Sequence, residues 1–115
     1  MIKNFQDLET YQHSQKLYPE TVKFSKDFSR EAWHLKDQLC RSANSIHSNI
    51  AEGFGRSVAE FKMYLTRSLG SCNETLSHIN DAINTENGNK KTALYLLKEY
   101  EIVGKQIYRL REHWK

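Results

Sequence analysis

Proline occurs once in this chain of 115 residues and glycine five times, so few positions are able to stop a helix. The period-two alternation that would mark a strand is missing, as are internal repeats and low-complexity stretches. Cysteine is nearly absent too. Cys40 and Cys72 stand alone without CxxC spacing, which excludes a disulfide framework and a zinc knuckle. Both fall in helical apolar stripes, where free, buried thiols in a reducing compartment are expected. No apolar run approaches the ~18 residues of a membrane span, and the opening MIKNFQDLETYQ holds no signal-like apolar segment. A soluble, cytoplasmic chain with no membrane partner is the expectation. Charge of one sign is also scarce: 17 Lys and Arg against 14 Asp and Glu leave a net +3 and no polybasic tail. Any affinity for nucleic acid must come from local clustering.

What is present is helical periodicity over the whole length. A first helical segment runs from Phe5 to Phe28, its seam marked by Leu8, Tyr11, Gln15, Tyr18, Val22 and Ser25. Pro19 inside it predicts a kink or break near Tyr18. Ser29 offers a start for the second helix, whose stripe is Leu35, Leu39, Ala43, Ile46, Ile50 and Phe54. Gly53 and Gly55 are suited to the left-handed conformation that closes it. Ser57 and Glu60 form a capping-box pattern for a third helix with the seam Phe61, Leu65, Ser68, Cys72, Thr75, Ile79 and Ala82. The stretch NTENGN at 84–89 is the strongest turn signal. A fourth helix follows with Ala93, Leu96, Tyr100, Val103, Ile107, Leu110 and Trp114. Short loops between long helices force antiparallel neighbours. The expected architecture is all-α: one domain over residues 1–115, an antiparallel up-down-up-down four-helix bundle.

The fourth helix also carries Leu94, Tyr95, Leu97, Tyr108 and Trp114, more apolar surface than one core requires. Aromatics concentrate in interfaces, so a subunit contact is the favoured reading over a generous core. Polar stripes climb two helices: Gln38, Arg41, Ser45, Asn49 and Glu52 on the second, Glu60, Arg67, Ser71, Glu74 and His78 on the third. If they face each other, Arg41 and Arg67 pair with Glu52 and Glu74, and Asn49 bonds across the hairpin. Such a network fixes register. The alternative is a phosphate site built from Arg41, Arg56 and Arg67, whose guanidinium forks suit that anion. Small residues, among them Ser42, Ala43, Ser45, Ser68, Gly70 and Ser71, let the two backbones approach closely, and close packing or a kink would explain Gly70 in mid-helix.

Catalytic chemistry finds little support. A di-iron bundle needs two Glu-x-x-His motifs, and Glu31–His34 is the single copy. Neither a nucleophile elbow nor a glycine-rich phosphate loop occurs, so no enzyme, no metal and no cofactor is expected. His13, His34, His47, His78 and His113 are scattered, as surface residues are. On the fourth helix Lys91, Lys98 and Lys105 recur at seven-residue spacing with Arg109 nearby. They form either a solvated face or a salt-sensitive nucleic-acid surface, without a stacking platform for base readout.

The run RSANSIHSNIAEGFGR at 41–56, followed by Phe61, Leu65, Leu69, Gly70, Ser71, Glu74 and Leu76, resembles the bacterial 23S rRNA intervening-sequence proteins, as do Phe5, Asp7, Leu8, Glu9, Tyr11 and Gln12. Pro19 departs from the pattern, as does His47, where that family often has proline. The resemblance implies a four-helix bundle assembled as a homopentamer, an origin in reading frames inserted in ribosomal RNA genes, and no established enzymatic activity. Related proteins serve as accessory partners of retroelement reverse transcriptases. Ser45, Asn49, Glu52, Gly53, Gly70, Ser71 and Glu74 are then motif residues with structural roles. Together these readings point to a non-enzymatic oligomer that holds RNA through Arg41, Arg56, Arg67, Lys98, Lys105 and Arg109. The alternative is a protein-interaction module serving a polymerase or reverse transcriptase.

Overall fold

The computed structural model describes residues 1–115 and contains helices without strands. α1 runs Glu9–Ser25, α2 Trp33–Gly53, α3 Val58–Asn84 and α4 Lys90–His113, with 3-10 turns at Phe5–Asp7 and Arg30–Ala32 ahead of the first two. At 1.5 Å per residue α3 spans ~40 Å, close to the 44 Å long axis of the molecule. Cross-helix contacts set the directions. Ser25 meets Cys40 while Tyr11 meets His47; Ser42 meets Thr75 while Ser45 meets Ser71. Thr66 meets Arg111 while Cys72 meets Tyr100, and His13 meets Gln106 while Thr21 meets Tyr100. In every pair one number rises as the other falls, so neighbours run antiparallel in an up-down-up-down bundle.

The expected seams of α2, α3 and α4 are the observed core. Leu39, Ala43, Ile46 and Ile50 are sealed, as are Phe61, Leu65, Cys72, Ile79, Leu96, Tyr100, Val103 and Ile107. The seam of α1 differs from its expected line. Gln15 is exposed and Tyr18 and Val22 are half-buried, while Ser14, Leu17, Thr21 and Phe24 face inward with Tyr11 and Ser25. The buried hydroxyls bond their own helix: Ser14 donates to the Thr10 carbonyl, Thr21 to Leu17 and Ser25 to Val22. Their donor protons are thus satisfied within α1 itself.

The first segment is shorter than expected. Phe5–Asp7 form a separate turn, in which Asn4 Oδ1 accepts from Gln6 N and Asp7 Oδ2 from the Lys3 and Asn4 amides. Leu8 is extended, and α1 begins after it. Pro19 does not break α1, which is continuous to Ser25. Ser29 opens the short Arg30–Ala32 turn rather than α2 itself, and its side chain caps nothing. The Ser57 cap is present: its hydroxyl accepts from Glu60 N at 3.2 Å and donates to Glu60 Oε1 at 2.9 Å. At the other end of α3, Glu86 and Gly88 take positive φ, and Asn89 caps α4 by accepting from Thr92 N. The buried Asn87 accepts from Ser29 N at 2.8 Å, joining this turn to the α1–α2 connection.

Two glycines have the opposite of their expected roles. Gly53 is helical, and it is Gly55, at φ +86°, that turns left-handed. A Cβ on Gly53 would collide with the Cβ and Cγ of Tyr64, so its smallness brings α3 close. Gly70 has no atom within 4 Å of such a Cβ and stands exposed, which removes close packing as its motive. Gly53→Ala should therefore destabilise the fold by about 1–3 kcal/mol through overpacking. Gly70→Ala should stabilise it by up to about 1 kcal/mol through helix propensity. Urea denaturation of both variants checks the opposed signs.

Candidate functional site

The α2–α3 hairpin is joined by hydroxyl groups. Ser68 donates to the Ile46 carbonyl at 2.7 Å, Ser71 to Ser45 Oγ at 2.9 Å and Thr75 to Ser42 Oγ at 2.9 Å. Side chains this short bond only when backbones lie close, so the small-residue stripes are the hairpin's seam. Asn49 does not reach across. Its amide donates to the carbonyl and hydroxyl of Ser45 one turn back, at 2.8 and 2.9 Å. Glu52 and Glu74 stand exposed at the hairpin's edge.

The expected cross-hairpin ion pairs do not form. Arg41 pairs with Asp37 on its own helix at 2.9 Å, and Glu74 lies 3.8 Å from His78 on its own. The register explains this: Arg41 lies three turns, roughly 16 Å, from Glu52 along α2. Arg56 is farther from Arg41 still, fifteen residues on, and the Ser45–Ser71 contact places Arg67 roughly 12 Å from the level of Arg41, so the three-arginine phosphate site does not assemble. Arg56 and Arg67 do come together, with guanidinium carbons 4.9 and 5.0 Å from the centroid of the Tyr64 ring. Arg56 is also engaged by the Glu52 carbonyl at 3.0 Å and by Glu60 at 3.8 Å. It closes the end of α2, where a cation meets free carbonyls. Arg67 makes no ion pair.

On α4 the lysine row is as spaced. Lys91, Lys98 and Lys105 are exposed, with Arg109 one turn beyond Lys105, and none of them has an acidic partner. The apolar surplus around them is narrower than expected and partly different. Leu94, Tyr95 and Tyr108 are about half exposed. Leu97 and Trp114 are partly buried and pack against the core, Trp114 edge-on against Phe61 at 4.8 Å and Phe54 at 6.0 Å. Ile102 joins the exposed set. Tyr95 and Tyr108 stand three residues from Lys98 and Lys105, neighbours on a helix surface. Aromatic faces therefore do accompany the lysines, contrary to expectation.

The histidines are less superficial than their scatter suggests. His13 joins α1 to α4, its Nδ1 lying 3.0 Å from Gln106 Oε1 and its Nε2 3.0 Å from Glu99 Oε1. His47 is buried between Tyr11 and Tyr18, its Nδ1 without a partner. His78 is largely buried, and neither ring nitrogen makes a hydrogen bond. Cys40 and Cys72 are free. Burial pushes the Cys72 thiol up to about 12, which leaves it inert at neutral pH while it donates to the Tyr100 carbonyl. No three His, Cys, Asp or Glu side chains gather as metal ligands, and no helix is long and apolar enough to cross a membrane.

The profile of the 23S rRNA-intervening sequence proteins matches residues 6–109. Among solved structures, the chain is similar to a protein of unknown function from the S23 ribosomal protein family of Bacteroides thetaiotaomicron. The TM-score is 0.83 and the identity 22%, covering 90% of this chain and 98% of that one. At that identity the likeness is one of fold. No curated protein matches the chain.

Burial holds the His47 imidazole below its usual 6.5. The unfolded chain thus takes up a proton at a pH where the folded chain still resists it, and stability falls as pH drops below ~6.5. His47→Gln should lose less melting temperature between pH 8 and pH 5 than the parent does. Equal losses in calorimetry would remove His47 as the cause.

Proposed function

The chain belongs to the 23S rRNA-intervening sequence protein family, and from that premise we propose a non-enzymatic, cytoplasmic homo-oligomer that holds RNA phosphates on the outer face of α4. The observation that carries this reading is the row Lys98, Lys105 and Arg109, exposed and unpaired. Cations already neutralised by carboxylates have less to gain from a phosphate; these three are free to release counterions from RNA. Tyr95 and Tyr108 add ring faces on which unpaired bases can stack. Arg56 and Arg67 contribute a second, weaker patch on the hairpin, and Arg41 lies outside it.

The oligomer, expected to be a pentamer from the family resemblance, rests on exposed Trp33, Met63, Leu94 and Ile102. Lysine is depleted from interface cores, so the lysine row stays at the rim of each contact. Repetition around a ring multiplies its field. The same exposed apolar residues favour a second reading, a protein-interaction module for a polymerase or reverse transcriptase. In that case α4 is covered by the partner and its lysines do not meet RNA.

Light scattering at micromolar concentration should give about five times the 13.5 kDa monomer mass; a monomer defeats the assembly. Labelled single-stranded RNA should bind with steep salt dependence and little sequence preference. The Lys98→Glu, Lys105→Glu double variant should flatten the slope of log K against log salt by about 0.7 for each phosphate that it leaves without a cation. Absent binding at low salt, or binding indifferent to the double variant, favours the protein-interaction reading.

A further inference from the structure

We propose that the cavity between the start of α1 and the end of α4 binds a tetrahedral oxyanion of the phosphate class. The cavity is about 440 Å³ and open to solvent, with Thr10, Glu9, Gln106, Arg109 and His113 as its polar lining and Leu8 and Leu110 among its apolar walls.

Three features meet there. The first is a run of free donors. Leu8 stands at the N-cap position and offers no side-chain acceptor, and the first backbone bond into α1 comes from Gln12 N to the Leu8 carbonyl. The amides of Glu9, Thr10 and Tyr11 are therefore unbonded at the positive end of a 17-residue helix, and the first two belong to residues that line the cavity. The second is Thr10 itself. Its side chain belongs to a residue only 5% exposed, its hydroxyl makes no hydrogen bond within the protein, and it lines this cavity. Unlike Ser14, Thr21 and Ser25, it does not turn back on its own helix. The hydroxyl opens onto the cavity with no partner of its own, so a ligand oxygen can take it in place of water. The third is Arg109, which lines the cavity without a carboxylate partner.

Backbone amides, one hydroxyl and one guanidinium are the donor set that a phosphate takes at a helix start. The Glu9 carboxylate opposes the anion. Gln106, which lines the same cavity, donates from Nε2 to Glu9 Oε1 at 3.4 Å and offsets part of that opposition. Arg109 follows Lys105 by one helical turn, so the α4 row leads into the cavity. A free phosphate and the terminal phosphate of a nucleic acid share this chemistry; only the second source rests on the RNA reading above.

The test is amide NMR of the full chain titrated with sodium phosphate at constant ionic strength, with chloride as control. The Glu9, Thr10 and Tyr11 amides should shift and saturate in the millimolar range. Arg109→Gln should weaken this binding on the order of tenfold, the loss of one charge-assisted hydrogen-bonding partner. Thr10→Val should weaken it several-fold without lowering the melting temperature, and Glu9→Gln should tighten it. Unsaturable shifts, shifts equal to those from chloride, or affinity unchanged in both Arg109→Gln and Thr10→Val overturn the site. Comparison of 5′-phosphorylated with 5′-hydroxyl oligoribonucleotides identifies the source. Tighter binding of the phosphorylated strand at the same amides marks a nucleic-acid end, and response to inorganic phosphate alone marks the free anion. Phosphate binding that persists in the Lys98→Glu, Lys105→Glu variant upholds the cavity even where the RNA surface fails.

Discussion

A helix carbonyl that accepts a hydrogen bond from a serine on the neighbouring helix requires the two backbones to lie close, with nothing larger than a hydroxymethyl group between them. Ser68 and the Ile46 carbonyl impose that condition on α2 and α3, and Ser45–Ser71 and Ser42–Thr75 repeat it along the hairpin seam. Each bond fixes the axial position of one helix against the other, so the register admits no slip by a residue. From it follows the level at which Gly53 meets Tyr64, and from that the place where Arg56 and Arg67 converge on the same ring. The same register keeps Arg41 away from both.

α1 is attached by different means. Its inner face carries Ser14, Thr21 and Ser25 between Leu17 and Phe24, and much of its tie to α4 is polar: Thr21 with Tyr100 at 2.6 Å, His13 with Glu99 and Gln106. Polar contacts select position well and contribute little net stability. α1 is thus the helix most precisely placed for its burial, and its start is where the proposed oxyanion cavity lies.

How legible this is in the amino-acid order depends on what each residue hides. The seams of α2, α3 and α4 are readable because apolar periodicity and burial coincide there, and Ser57 and NTENGN mark turns by local chemistry alone. The α1 seam escapes that reading because a hydroxyl satisfied by its own helix is buried at little cost, and sequence records only that it is polar. The roles of Gly53 and Gly70 escape it because the space around a missing side chain is a tertiary property. The lysine row is legible from its spacing. The cavity at Thr10 is not, because it depends on a hydroxyl left unbonded and on an arginine from the far end of the chain.

The Asn87 side-chain oxygen that accepts from Ser29 N ties together the two connections at one end of the bundle. The opposite end has a single connection, at Phe54–Ser57, and both chain termini. The molecule is therefore fastened unequally along its 44 Å length, with two tied connections at one pole and a single connection at the other. Partial opening, which proceeds from the least constrained contacts, separates α1 from α4 starting at the termini. Anything lodged between the start of α1 and the end of α4 acts as a second latch, and its arrival would slow the breathing of both helices.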